Sequence, residues 1–491
     1  MTKPNILLIM ADQLIPMLMG AYDHPVVQTP NLNQLVEGGI RFDAAYSPCP
    51  LCAPARAALL TGTHTSHNQV WDNAAPLASD FPTMAHYLTN AGYDTVTSGK
   101  MHYVGADQLH GLRRRLTTDV YPSGLNWLPT PHRARDSRIL DRRSHANGYK
   151  LPRVGVSPWT IYMDYDEETQ FRALQYLNTQ YLSSLEGEQD PFFLCVSFHH
   201  PHDPFKVPQD LWDLYEGKEI TLPEYPSHMA TTYSEMDRWL NAYHGTDRID
   251  IKAPESLYAL RRAYYGLVTF IDRKVGELMK TLDKTGLRDN TVIIFTSDHG
   301  DMLAEKNMVQ KRSFYEFSSR VPLIINMPDG SGAGTRCTEP VSLIDIAPTL
   351  FELAGIDNYL PVDGQSLLPY VASVAEERVA FSESHTNGVY EPCFMVRKGP
   401  YKYIFIRNEE HQLFDLENDP GEWHNLIGHQ AYTSIAEELR SLILDTFNPD
   451  AVEQKLMESL LRRAVVKQAN EVNEVHWDYA PFFDVTQQYA R

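Results

Sequence analysis

The sequence predicts a doubly wound α/β core with a mixed sheet flanked by helices, then a smaller antiparallel subdomain and a tail. Three observations carry this. First, four short apolar segments each run into a polar cluster: Asn5-Ile-Leu-Leu-Ile-Met10 into Asp12-Gln13, Tyr93-Asp-Thr-Val-Thr97 into Ser98-Gly-Lys-Met-His102, Phe192–Phe198 into His199-His-Pro-His-Asp-Pro204, and Thr291–Thr296 into Ser297-Asp-His-Gly-Asp301. Open α/β sheets bind ligands beyond the carboxyl ends of their strands, so the four clusters are expected to share one crevice. Second, helical patterns alternate with the strands: Glu167–Glu186 with Phe171, Leu174, Leu177 and Leu182, Ser256–Thr285 stopped by Gly286, and Ile346–Ala354 stopped by Gly355. Third, the texture changes after residue 375. Val379–Glu383, Cys393–Arg397 and Tyr401–Ile406 read as antiparallel strands with a turn at Lys398-Gly-Pro400, covered by a helix over Ser434–Phe447.

The expected division is therefore 1–375 for the core, 376–448 for the subdomain and 449–491 for the tail. The tail reads as helix over Val452–Val472, then turns aromatic with Trp477, Tyr479, Phe482, Phe483 and Tyr489. Left free it would be an apolar liability, so it is expected to pack on its own domain or on a neighbouring subunit.

The chain has 491 residues, 43% of them hydrophobic and 22% charged, which fits neither a disordered nor a fibrous protein. A net charge of −20 repels phosphate backbones and anionic lipid, so neither nucleic acid nor membrane is an expected partner. A small anionic substrate is compatible with that charge if a metal or a local group of cations reverses the field at one site. Ile6–Met10 is too short for a signal segment or a membrane span. Five cysteines in so long a chain make no disulfide framework, and a reducing, cytoplasmic compartment is expected.

The segment Cys49-Pro-Leu-Cys-Ala-Pro-Ala-Arg-Ala-Ala-Leu-Leu-Thr-Gly62 carries the most chemistry. Pro54 suits a first helical turn and Gly62 a stop, which puts Cys52 at a helix N-terminus. There the helix dipole and Arg56 favour an anion and a nucleophile. Read alone, the segment is equally a helix cap with a buried thiol. The Cys49-x-x-Cys52 spacing admits redox chemistry, but Pro-Leu between the cysteines and the absence of thioredoxin-like surroundings oppose it.

Cys52-Ala-Pro-Ala-Arg56 followed by Leu-Leu-Thr-Gly resembles the C-x-P-x-R signature of the type I sulfatases of the alkaline phosphatase superfamily. The resemblance covers nearly the whole chain. It takes in Asp12, Gly99-Lys-Met-His102, Pro201-His202, Ser297-Asp-His-Gly-Asp301, Lys311 with Tyr315-Glu316, Arg320-Val-Pro322, Leu413–Pro420 and Asn425-Leu426. Within that family the sequence most resembles the choline sulfatases, through Leu51–Arg56, Asp72-Asn-Ala-Ala75, Ser98–His102, Gly105–Gly111 and Leu116-Thr-Thr-Asp119. Phosphonate monoester and phosphodiester hydrolases are also similar and share Asp12-Gln13.

The resemblance implies that a formylglycine-generating enzyme converts Cys52 to formylglycine. One hydroxyl of its hydrate attacks sulfur as the alcohol departs, and collapse of the other expels sulfate. By the same resemblance Arg56 and Lys100 stabilise the hydrate, and His102 is the base for its collapse. His202 and Lys311 neutralise sulfate and protonate the leaving oxygen, with His200 as a second candidate, and Asn73 hydrogen-bonds a sulfate oxygen. An anionic ester with a poor leaving group needs a divalent cation. Asp12, Asp298 and His299 suit one, together with the residue made from Cys52 and a further oxygen from Gln13. Three hard oxygens favour Ca²⁺, then Mn²⁺ or Mg²⁺, over zinc. His199 is expected to face the core and Asp301 to serve a turn.

Choline would need an aromatic face for its ammonium, and Trp127 is the candidate. Beyond it, Arg133, Arg135, Arg138, Arg142, Arg143 and Arg153 stand against Asp136 and Asp141, either as a solvated loop or as a lid selecting a more anionic substrate. The expected function is hydrolysis of a small sulfate monoester, choline sulfate or similar. A phosphonate monoester or phosphodiester hydrolase is the alternative with the same centre, and a non-catalytic anion binder the alternative of another class. Likeness of the tail to C-terminal extensions in these relatives implies a homo-oligomer, a tetramer.

Overall fold

Asn5–Asp12 (β1) is buried along its whole length, and the alternation of its side chains builds the two main layers of core. The computed structural model describes residues 3–129, 154–187, 190–229, 232–246, 251–374 and 377–479. The arginine-rich stretch and Phe482, Phe483 and Tyr489 lie outside these residues. The other strands of the main sheet are β2 (Ile40–Tyr46), β3 (Asp94–Gly99), β4 (Arg114–Arg115), β5 (Phe192–Pro201), β6 (Thr291–Ser297), β7 (Arg320–Asn326), β8 (Thr335–Cys337) and β9 (Val341–Ser342). Their order is β8-β2-β7-β6-β1-β5-β3-β4, with β9 also on β2. β7 alone runs against its neighbours, which makes the sheet mixed.

Leu7, Ile9 and Ala11 face one layer, where they join Ala173 and Leu177 and the apolar stripe Leu267, Ile271 and Val275. Ile6, Leu8 and Met10 face the other, against Leu59, Leu60, Ile346 and Leu350. Burial on both faces is why β1 reads as a continuous apolar run. The covering helices are α1 (Cys52–Thr61), α2 (Ile161–Leu185), α3 (Pro254–Thr285) and α4 (Ile346–Ala354). Each of the last two ends at the glycine expected to stop it, Gly286 and Gly355, both in the left-handed region. Register brings the four polar clusters to one edge: Met10 pairs with Thr296, Asp12 with Pro201, and Gly99 with Ser197.

Asp272 on α3 is buried and accepts hydrogen bonds from the backbone amides of Asn31 and Leu32, holding the first turn of the helix Pro30–Glu37 in place. Burial pushes its carboxyl up to about 6. The folded chain therefore holds this proton more tightly than the unfolded chain does. The stability this contributes is complete below about pH 4 and is lost as pH rises through about 6. The urea midpoint of Asp272→Asn, measured against wild type, should accordingly shift in the variant's favour between pH 4 and 6 and then level off. A difference independent of pH would refute this.

The second sheet comprises β10 (Val379–Ser384), β11 (Cys393–Lys398), β12 (Tyr401–Ile406) and β13 (Gln412–Asp415), all antiparallel. The sequence reading included the first three and not β13. α5 (Thr433–Thr446) lays Leu439 and Ile443 on Phe394, Val396 and Tyr403, and α6 (Pro449–Asn473) extends that layer with Val452, Leu456 and Leu460. On α6, Arg463 makes a two-pronged buried pair with Asp72, at 2.6 and 2.9 Å. The tail helix thus packs on its own chain. Among the described residues no helix is long and apolar enough to cross a membrane.

Candidate active site

Cys52 is the first residue of α1, which Pro54 and the left-handed Gly62 delimit as expected. Asn73 Oδ1 accepts the amide hydrogen of Ala53 at 3.0 Å, occupying one of the otherwise open donors of that helix end. The Cys52 Sγ lies 3.1 Å from His299 Nε2. His299 Nδ1 donates to the Gly300 carbonyl at 2.9 Å, so Nε2 is the ring nitrogen that faces the thiol. Ligand atoms of Asp12, Cys52, Asp298 and His299 all lie within 4.8 Å of one another, and all four residues are buried.

Arg56, one turn along α1, ties this cluster together. Its Nη2 donates to Asp12 Oδ2 and its Nε to Asp298 Oδ2, each at 2.9 Å. Its Nη1 donates to the Lys100 carbonyl and to Ser197 Oγ. Lys100 Nζ reaches Asp12 Oδ2 at 2.5 Å. Burial raises the Asp12 carboxyl, but Lys100, His202, Arg56 and His299 outweigh it and hold the group well below the usual carboxylate range. Burial and Asp12 raise the Cys52 thiol, yet Lys100, Lys311 and His299 bring it well below an ordinary thiol, so the thiolate is favoured. Burial and the neighbouring Asp12 raise Asp298.

Gln13 has left-handed backbone, and its side-chain amide donates to Asp301. That contact turns Oε1 toward Lys311, whose Nζ donates to it at 2.5 Å and to His202 Nε2 at 2.7 Å. His202 Nδ1 in turn donates to the Asp203 carbonyl. Asp301 also accepts the Leu303 amide, as a turn residue does, and burial pushes its carboxyl up to about 7.

The two remaining histidines exchange the places expected of them. His200 Nδ1 lies 2.6 Å from Asp166 on α2, and its ring meets Phe270 on α3, so it faces the helical layer rather than the cluster. His199 faces the other way, with its ring stacked on Tyr162 and 4.9 Å from that of His202.

A wall of aromatic side chains closes the cluster. Tyr121 lies over Lys100 Nζ at 4.4 Å, and its ring centroid is 5.1 Å from that of His102. Trp127 packs edge-on to both His102 and Tyr121. Asp119 joins wall and cluster: it accepts the amides of Met101 and His102 and pairs with Arg115 Nη2 at 2.9 Å. The sequence reading quoted Asp119 only for resemblance and missed Tyr121, Ser197, Tyr162 and Asp166. A single residue separates Asp119 from Tyr121, a spacing in an irregular loop that carries no periodic signal.

Comparison with known proteins agrees with this geometry. The sulfatase profile matches residues 4–356 and an N-sulphoglucosamine sulphohydrolase C-terminal profile matches 304–448. The chain is similar to a choline-sulfatase of Rhizobium meliloti, 38% identical over 100% of this chain and 96% of that protein. It is 30% identical to an arylsulfatase of Clostridium perfringens, over 90% of this chain and 94% of the other. Among solved structures, the phosphonate monoester hydrolase of Agrobacterium radiobacter superposes with a TM-score of 0.71 at 25% identity, covering 92% of this chain and 96% of that one. One profile thus spans every strand end that meets at Cys52, and the chain belongs to the sulfatase family.

Proposed function

We propose that the protein is a sulfuric ester hydrolase that cleaves a small organic sulfate monoester to alcohol and inorganic sulfate, with choline sulfate the first substrate to assay. The observation that carries this reading is the gathering of Asp12, Cys52, Asp298 and His299 within 4.8 Å of one another, bordered by Arg56, Lys100 and Lys311.

The donor set suits a divalent cation. Asp12 Oδ1 is buried and accepts no hydrogen bond from any described residue, while the two carboxylates and His299 Nε2 are hard and borderline ligand types. Asp12, Asp298, His299 and the residue at 52 would hold the ion, with Gln13 Oε1 as a further ligand. Ca²⁺ is the first choice, with Mn²⁺ or Mg²⁺ as alternatives. The bound ion would supply Lewis acidity at the sulfate oxygens, and a formylglycine made from Cys52 by a formylglycine-generating enzyme would supply the hydroxyl nucleophile. Dialysis against EDTA should abolish turnover and added Ca²⁺ should restore it. Full activity in chelated, metal-free protein would remove the metal from this reading.

The chain's own residues do the rest. Arg56 and Lys100 hold negative charge beside residue 52, and His102 is placed to accept a proton there. Lys311 donates to His202 Nε2, and this pair would supply the proton that the leaving oxygen needs. Asn73 orients the start of α1 through Ala53 and would turn its amide to a sulfate oxygen. Trp127 gives the substrate an aromatic face.

A second reading, a phosphonate monoester or phosphodiester hydrolase, is favoured by the superposition on the Agrobacterium enzyme. Parallel kcat/KM measurements on a sulfate monoester and a phosphodiester decide between them, and dominance of the diester would replace the first reading.

We also read the chain as a cytoplasmic homotetramer divided at residues 375 and 448. Five free cysteines support the compartment. The outer face of α6 supports the assembly, because Leu461, Val465 and Val472 are 56%, 69% and 78% exposed, an apolar row suited to a second copy. Val465→Glu combined with Val472→Glu should lower the mass found by light scattering. An unchanged mass would rule out this face.

A further inference from the structure

His199 and His200 are the imidazoles at this edge of the sheet to which the chemistry above gives no task, and of the two only His200 is paired, with Asp166. Alternation along β5 sends His200 to Asp166 and turns His199 to the opposite face. There its ring stacks on Tyr162 at 4.2 Å between centroids and 18° between planes, and stands 4.9 Å from His202 and 5.7 Å from Tyr121. The residue is wholly buried, and neither ring nitrogen has a hydrogen-bond partner among the described residues. Buried polar groups in folded proteins are nearly always paired. Stacking alone would be served by phenylalanine without that cost, so the imidazole implies a polar partner. Two neighbours say where that partner comes from. His202 accepts a hydrogen bond from Lys311, the pair proposed above to protonate the leaving oxygen, and Tyr121 lies over Lys100. A group bonded to His199 would therefore belong to the alcohol portion of the ester, a few atoms beyond the bond that breaks.

We infer that His199 is a specificity-determining residue that hydrogen-bonds a hydroxyl on the alcohol portion of the substrate, so that the preferred substrates are sulfate esters of hydroxylated alcohols. A hydroxyl both donates and accepts, which matches an imidazole with one nitrogen of each kind. A trimethylammonium group does neither and leaves both nitrogens unpaired. The inference rests on the sulfatase reading and narrows its substrate class.

The test uses propyl sulfate and 3-hydroxypropyl sulfate, which differ by one hydroxyl, on the metal-loaded full chain. Wild type should favour the hydroxylated ester by about tenfold or more in kcat/KM, because a site built to bond a hydroxyl rejects the analogue lacking it. His199→Phe keeps the stack on Tyr162 and should bring the ratio near one, while His199→Gln should keep part of it. Equal kcat/KM for the two esters in wild type overturns the inference even if no variant folds, and so does a ratio that is the same in wild type and His199→Phe. If wild type turns over neither sulfate, the sulfatase reading fails by itself. The same pair prepared as methyl phosphodiesters then decides the role of His199 by the same ratio.

Discussion

Cys52→Ala should abolish sulfate release, with kcat falling by about 10⁴-fold or more, as expected when a covalent nucleophile is removed from an otherwise intact site. The estimate follows from what surrounds the residue. Cys52 supplies the only thiol in the four-residue cluster, whose other members are the carboxylates and imidazole proposed as metal ligands. Ser197 Oγ, which also lies close to Arg56, is already an acceptor for Nη1. Alanine is a good helix former, and the bond from the Ala53 amide to Asn73 involves only the backbone on this side, so the helix start survives the change. Melting temperature should therefore move little while activity vanishes. Inorganic sulfate release and a thermal melt on the same preparation check both halves. Undiminished hydrolysis by Cys52→Ala would contradict the sulfatase and the phosphodiesterase readings together.

Arg463→Ala should destabilise the fold by about 3–5 kcal/mol, the range for removing one partner of a buried ion pair. The side chain of Asp72 has no solvent exposure, and both of its oxygens are committed to Arg463, with Oδ1 also accepting the Ala74 amide. Without the guanidinium a carboxylate is left buried and unpaired. The effect reaches the catalytic end as well, since Asn73, the next residue, holds the first turn of α1. Urea unfolding measures the loss, and Arg463→Ala/Asp72→Asn should recover part of it because the stranded charge is gone. A single-mutant loss below about 1 kcal/mol would mean that the pair is screened as a surface pair is.

Much of this architecture follows from local patterns. β1 and β6 are apolar runs because both of their faces are covered, and α1 stops before Gly62 because that glycine adopts left-handed backbone. β2 was not readable in the same way. Arg41 and Asp43 interrupt it, and Arg41 is buried only because Asp23, Asp43 and the Ala21 carbonyl receive its guanidinium. The reversed strand β7 has an apolar run like the others, and nothing local marks its direction. The orientation of His199 and His200 was likewise beyond local reading. It is set by Asp166, which accepts both backbone amides and the His200 ring from a helix more than thirty residues upstream. Residue types that carry chemistry were visible in the sequence. Of the loop that walls them in, Trp127 was marked by resemblance, whereas Tyr121 and the anchoring by Asp119 became visible only through contacts.

Cys52 is 1% exposed and lies at the bottom of a finished domain whose strands come from residues 5 to 342. No second protein can reach that sulfur once β6 and the Ser297–Asp301 turn have closed behind it. The formylglycine proposed at this position would therefore have to be made on the nascent chain, before the ribosome has delivered the later half, and rapid overproduction would then yield a mixed population of thiol and aldehyde.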